Sequence, residues 1–135
     1  MGVIHYRASS PYVLVVEDNA VLRETLAELL QYEGYLVAVA SGAQDALRII
    51  DAATEGPHLI VSDILMPQMD GYQFMLAVRK KPAWRSIPFL FISAQEETRL
   101  LVDSSSVAEP CKVGYLSKPF ALPGFLEMIE RMLYE

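Results

Sequence analysis

The chain alternates short, wholly apolar runs with longer stretches in which apolar residues recur every three or four positions. Residues 12–16 (YVLVV) form the first run, which stops abruptly at Glu17-Asp18. Leu22, Leu26, Leu29 and Leu30 then recur at helical spacing, a stripe on a helix that Asn19 can cap and Gly34 can end. Residues 35–39 predict a second strand. Ser41 and Gln44 have capping-box spacing, and Ala43, Ala46, Leu47 and Ile50 share the face of the helix that follows. Gly56-Pro57 breaks this helix. Residues 58–62 carry Leu59-Ile60-Val61 without alternation, as a strand buried on both faces does, and lead into Asp63.

The second half keeps the rhythm. Asp70 and Gln73 mark another capped start, with Phe74, Ala77 and Val78 inward and Pro82 closing the helix. Pro88 opens a fourth strand, FLFIS at 89–93, that ends in a hydroxyl. A fourth helix is expected over about 96–102, whereas residues 104–110 are poorly helical. Residues 113–117 predict the fifth strand, ending at Lys118-Pro119. Pro123 suits the first turn of a last helix with Phe125, Leu126, Ile129 and Leu133 as its apolar stripe. Five strands alternating with five helices predict an α/β fold, a doubly wound parallel sheet with helices on both faces. Residues 1–10 read as a flexible N-terminal segment and residues 11–135 as one domain.

Composition narrows the classes of function. The 135 residues are one domain's worth, and 53% of them are hydrophobic, enough for a packed core. Eleven Lys and Arg against 17 Asp and Glu give a net charge of −6, which argues against direct binding of nucleic acid. Cys111 is the only cysteine, so there is neither an internal disulfide nor a cysteine-built zinc site. No apolar run approaches the roughly 18–20 residues that span a bilayer. Residues 1–10 have no apolar core of a secretory signal, and Tyr6 stands where myristoylation requires Ser or Thr. A cytoplasmic domain with no membrane partner is the expectation.

The polar residues at the strand ends carry the chemistry. In an open parallel sheet the carboxyl ends of the strands line the ligand crevice, so Glu17, Asp18, Asp63, Ser93 and Lys118 should converge. Each alone is ordinary, since strand ends are often polar and a single lysine is usually a surface residue. Together they are three carboxylates, a hydroxyl and an ammonium. Crowded carboxylates repel, and a hard divalent cation relieves them; carboxylates, a backbone carbonyl and waters make an octahedral oxygen site for Mg²⁺ or Mn²⁺. Such an ion also neutralises a transferring phosphoryl group, whose other oxygens suit a lysine and a hydroxyl.

These residues also resemble a family. The acidic pair after the first strand, Asp63-Ile-Leu-Met-Pro67-Gln-Met-Asp70-Gly71, Ile92-Ser93-Ala94 and Tyr115-Leu-Ser-Lys118-Pro119-Phe120 together resemble the receiver domain of two-component response regulators, over about residues 12–134. The resemblance implies a flavodoxin-like fold with strand order 2-1-3-4-5. It implies phosphoryl transfer from a sensor histidine kinase or phosphotransfer protein to Asp63. It assigns Mg²⁺ to Asp18, Asp63 and the carbonyl of Leu65, with Glu17 acting through a metal-bound water. It gives Lys118 and Ser93 contacts with the phosphoryl group, makes Ser93 and Tyr115 the switch, and makes Lys118-Pro119 a cis peptide. Output is expected through the face of the fourth helix, fifth strand and last helix, read by a downstream protein or an effector domain absent from this chain. The domain is then no enzyme in the sense of turning over an external substrate.

One stretch departs from the family pattern. Glu109-Pro110-Cys111-Lys112 stands where receivers commonly carry a Gly-Ala pair, so the fourth helix is expected to be atypical. Two other classes compete with this reading. A pseudo-receiver would bind partners without phosphorylation, but the full set of acids, Ser93 and Lys118 argues against it. A flavin protein or hydrolase on this fold is disfavoured by the lack of a Gly-rich loop, a P-loop and a nucleophile elbow. Cys111 reads as a buried or half-buried thiol, His58 as a solvated or core-edge residue, Trp84 as cover for the end of the third helix, and Met66 and Met69 as walls beside Asp63.

Overall fold

The computed structural model describes residues 10–94 and 113–134. In chain order the elements are β1 (Tyr12–Val16), α1 (Ala20–Tyr32), β2 (Leu36–Ala40), α2 (Ala43–Ala52), β3 (Leu59–Asp63), α3 (Gly71–Val78), β4 (Phe89–Ser93), β5 (Val113–Ser117) and α4 (Leu122–Tyr134). A 3-10 turn at Pro82–Trp84 follows α3. All five strands are parallel, in the order β2-β1-β3-β4-β5. This is the flavodoxin-like arrangement. The expected helix at 96–102, the atypical 109–112 stretch and Cys111 lie outside the described residues, as do residues 1–9.

Strand alternation divides the core in two. Leu14, Val16, Ile60, Phe89 and Phe91 face one side of the sheet, where α2 and α3 add Ala43, Ala46, Ile50, Phe74, Met75 and Val78. Val13, Val15, Leu59, Val61, Leu90 and Ile92 face the other, against Leu26 and Leu30 of α1 and Phe125, Ile129 and Met132 of α4. β1, β3 and β4 are buried on both faces, so they read as continuous apolar runs. Fully burying one such side chain stabilises the fold by roughly 1.5–3 kcal/mol.

The helix signals mostly hold. Asn19 caps α1, its side chain accepting from the Leu22 N–H at 3.0 Å. Gly34 follows that helix at φ 98°, a left-handed position that suits glycine. Asp70 and Gln73 form the expected capping box at α3, with bonds of 2.7 and 3.1 Å.

Three details differ from the sequence reading. The N-cap of α2 is Gly42 with no side-chain cap bond, because the chain leaves β2 one residue later than expected and shifts the helix start past Ser41. Met132 is buried in α4, whereas Leu126 and Leu133 are only partly so; the helix turns a methionine toward Gly114, which has no side chain of its own to fill that space. Trp84 lies over Gly56, in the loop between α2 and β3, and Lys81 stacks on its ring at 4.6 Å.

Candidate functional site

The site lies at the carboxyl edge of β1, β3, β4 and β5. β1 and β3 are neighbours in register, with Val16 opposite Ser62, so Glu17 and Asp63 emerge side by side. β4 lies next, with Ile92 opposite Asp63, and β5 pairs Ser117 with Ser93. The Lys118 N–H donates to the Ser93 carbonyl at 2.8 Å, and the Lys118–Pro119 peptide is cis as expected. Residues more than a hundred positions apart in sequence thereby meet: Lys118 Nζ lies 3.2 Å from Glu17 Oε1 and 3.3 Å from Asp63 Oδ2.

Glu17, Asp18 and Asp63 each offer a carboxylate oxygen, all within 4.8 Å of one another. Their surroundings differ. Glu17 is fully buried and Asp63 is 7% exposed, while Asp18 is open to solvent. Glu17 is held by its neighbours in α1: its Oε2 accepts from the Asn19 N–H at 3.0 Å, and its carbonyl accepts from Arg23 Nη1 at 2.9 Å. The sequence reading missed Arg23, whose only signal was a cation one turn into the helix that follows the acidic pair.

The charge balance is unfavourable as it stands. Burial pushes the carboxyls of Glu17 and Asp63 above the usual carboxylate range; the Lys118 ammonium opposes this for both, and neighbouring acids add to it. For Lys118, burial pulls the ammonium down, but Asp63 and Glu17 together outweigh it and hold the group above its ordinary value. Pairing with Glu17 and Asp63 stabilises the lysine in its charged form, whereas for the two acids burial outweighs that pairing.

This donor set fits a hard divalent cation. Three carboxylates converge, two of them shielded from water, and among the described residues Lys118 is the cation that pairs with the two buried ones. Leu65 lies two residues beyond Asp63 and is 50% exposed; the oxygen it can offer is its backbone carbonyl.

The structure also places the other expected residues. Ser93 is 8% exposed at the end of β4. Tyr115 is half-buried opposite Phe91, its ring stacked on that ring with centroids 6.0 Å apart. Met66 and Met69 pack on the apolar cluster beneath the site, and Met69 also lines a cavity of about 290 Å³ with residues 41–45 and Arg48. His58 is exposed, and its Nδ1 accepts from the Tyr12 N–H at 3.0 Å at the opposite end of the sheet. Among the described residues, no helix is long and apolar enough to cross a membrane.

Comparison with known proteins agrees with this geometry. The family model described as "Response regulator receiver domain" matches residues 13–130. The alkaline phosphatase synthesis transcriptional regulatory protein SphR of Synechococcus elongatus is 35% identical, over 92% of this chain and 49% of its own length. An uncharacterised 14.6 kDa protein of Leptolyngbya boryana is 36% identical, over 79% of this chain and 78% of its own. Among solved structures, the Vibrio cholerae chemotaxis protein CheY4 superposes with a TM-score of 0.81 at 29% identity, over 93% of this chain and all of that one. The chain spans about half the length of SphR and of several other regulators it matches.

Proposed function

The chain belongs to the response regulator receiver domain family, and from that premise we propose that it accepts a phosphoryl group on Asp63 from a sensor histidine kinase or phosphotransfer protein. The single observation that carries this reading is the contact between Lys118 and Asp63 within the three-carboxylate cluster.

The chemistry follows from the residues. An oxygen of the Asp63 carboxylate attacks phosphorus, the O–P bond forms, and the bond from phosphorus to the donor's imidazole nitrogen breaks. The product is an acyl phosphate on Asp63. Attack brings an anion toward an anion, so positive charge must stand by. Lys118, 3.3 Å from Asp63 Oδ2, supplies one such charge and is positioned to follow a phosphoryl oxygen. A bound Mg²⁺ or Mn²⁺ would neutralise the remaining charge on the phosphoryl oxygens. Asp18, Asp63 and the Leu65 carbonyl would hold it, with Glu17 reaching it through water. The exposure of Asp18 and the burial of Glu17 support that division.

The new acyl phosphate carries about −1.5 to −2 charges in place of one carboxylate. We place the response at Ser93, whose hydroxyl turns to the phosphoryl group, and at Tyr115, which moves into the space behind it. The Phe91–Tyr115 stack supports this, because Tyr115 already packs two residues below Ser93 on the same face of the sheet. A downstream protein or effector domain reads the change on the face around β5 and α4. The domain modifies itself and turns over no external substrate, and it acts in the cytoplasm.

Acetyl phosphate with Mg²⁺ tests the reading. Intact mass should rise by one phosphate in the wild type and not in Asp63→Asn. Equal labelling of both proteins would overturn the assignment of Asp63. Complete failure to label the wild type, with Mg²⁺ present, would favour the pseudo-receiver alternative, an interaction module acting without phosphorylation.

A further inference from the structure

The residue before the acceptor is a serine with no place in the chemistry above, yet its hydroxyl is completely buried. Strand alternation points Ser62 to the face opposite Asp63, between Val16 of β1 and Phe91 of β4. A hydroxyl in such an apolar position has a desolvation cost unless it is bonded. Ser62 Oγ donates to the carbonyl oxygen of Asp63 at 2.8 Å. The other half of the same peptide unit is also held, since the Ile64 N–H donates to the Ile92 carbonyl at 3.2 Å. The Asp63–Ile64 peptide is therefore fixed at both its oxygen and its nitrogen.

The α3 start closes on the adjoining peptide and on the Asp63 carbonyl oxygen itself. The Gly71 N–H donates to the Ile64 carbonyl at 2.7 Å, and a Cβ built on Gly71 would lie 2.5 Å from the Asp63 carbonyl oxygen. It would also lie 3.0 Å from Ile64 Cα and 3.2 Å from the Phe91 ring. The obstacles are mostly backbone, which cannot swing away. Gly71 thus leaves the room in which the Asp63 carbonyl meets the Ser62 hydroxyl.

We propose that Ser62 is a positioning residue for the phosphoacceptor: its hydroxyl, with Gly71 opposite, fixes the Asp63–Ile64 peptide and so the direction in which the Asp63 carboxylate leaves the strand. The peptide plane sets ψ of Asp63, and with it the approach of the carboxylate to Lys118 and to the acid pair. A loose plane lets the nucleophile sample directions away from the incoming phosphorus, and small errors of alignment carry large rate penalties. Binding of the phosphoryl donor depends on other groups and is left alone. The inference rests on the reading of Asp63 as acceptor only for its rate consequence; the held peptide itself does not.

The test compares wild type, Ser62→Ala and Ser62→Thr, the last retaining the hydroxyl. At saturating Mg²⁺, the maximal rate of phosphorylation by acetyl phosphate should fall about tenfold in Ser62→Ala, with half-saturating acetyl phosphate unchanged. Ser62→Thr should recover most of that rate. A merely structural role would lower the melting temperature of Ser62→Ala and leave the maximal rate of the folded fraction at wild-type level, which would overturn the proposal. Amide hydrogen exchange gives a readout independent of phosphorylation. The Ile64 amide should exchange about tenfold faster in Ser62→Ala than in wild type, relative to the amides of β1. If wild type takes no phosphate, the assignment of Asp63 fails, and the Ile64 amide alone decides the positioning claim: unchanged exchange refutes it, and selective acceleration upholds it.

Discussion

The two ends of the same sheet are built on opposite electrostatic terms. At the amino end polar groups are answered in pairs close by. The Leu36 N–H donates to the Pro11 carbonyl, the His58 N–H to the Tyr12 carbonyl, and the Tyr12 N–H to His58 Nδ1. Its ion pair is one to one, Lys81 with Asp51 at 2.9 Å, and both side chains are more than half exposed. At the carboxyl end three carboxylates gather, and among the described residues the Lys118 ammonium pairs with the two that are buried. The first arrangement closes a fold. The second keeps a charge deficit that a cation or a phosphoryl transfer can relieve, and the apolar strands between the ends hold it in place.

The sharpest way to break this comparison is to supply the missing charge. Mg²⁺ at a hundred times its dissociation constant should stabilise the fold by about 2.7 kcal/mol, seen as a shift of the urea midpoint. Asp18→Ala should lose more of that shift than Glu17→Ala, because Asp18 faces solvent while Glu17 is spent on Asn19 and Lys118. Equal losses would mean that the two acids share the ion on the same terms.

A second effect needs no metal. In the fold the carboxyls of Glu17 and Asp63 lie above their ordinary values, chiefly through burial. The folded state therefore binds their protons more tightly than the unfolded state. The stability these two groups contribute is complete below the ordinary carboxylate range and is lost as pH rises through the raised values. With chelator present, the urea midpoint should rise as pH falls from neutral toward that range, more in wild type than in the Glu17→Gln, Asp63→Asn double variant. The Asp63→Asn protein should be more stable than wild type at neutral pH. Identical pH profiles would remove the claim of a charge deficit. Lys118, also held above its ordinary value, follows the same sign in a more alkaline window: its contribution is complete below the ordinary lysine value and is lost as pH rises through the raised one.

The smallest effect belongs to the amino end. Lys81→Met removes an exposed pair worth about 0–1 kcal/mol, and added salt should barely change the wild-type stability through that pair. A loss well above 1 kcal/mol would show that the stack of Lys81 on Trp84 matters more than the pair.

Local signals carried the fold reading a long way. Asn19, Gly34 and the Asp70–Gln73 box act within four residues of their targets, so their chemistry is visible in the string itself. Buried strands announced themselves as unbroken apolar runs for the same reason. The cap of α2 was misread because Ser41 and Gly42 compete for one position, and the end of β2 decides between them. The site residues were legible as polar ends on apolar strands, and the family resemblance gave them roles. Their mutual distances were not legible. That Lys118 reaches Glu17 as closely as Asp63 depends on where a chain end lands after a hundred residues. The Ser62 bond was invisible for a different reason: a serine among apolar residues looks like a tolerated small residue until its carbonyl partner is placed.

The sheet has a further consequence as a partition. Leu30 belongs wholly to the cluster under α1 and α4, and Phe74 to the one under α2 and α3; the two clusters share no member. Substitutions on opposite faces therefore have no common neighbours through which to interfere, and their costs should simply add. Such a domain can be revised one layer at a time. A lineage can repack the layer that meets one partner, accept the loss, and regain it by unrelated changes across the sheet, while the acidic edge that both layers support keeps its geometry.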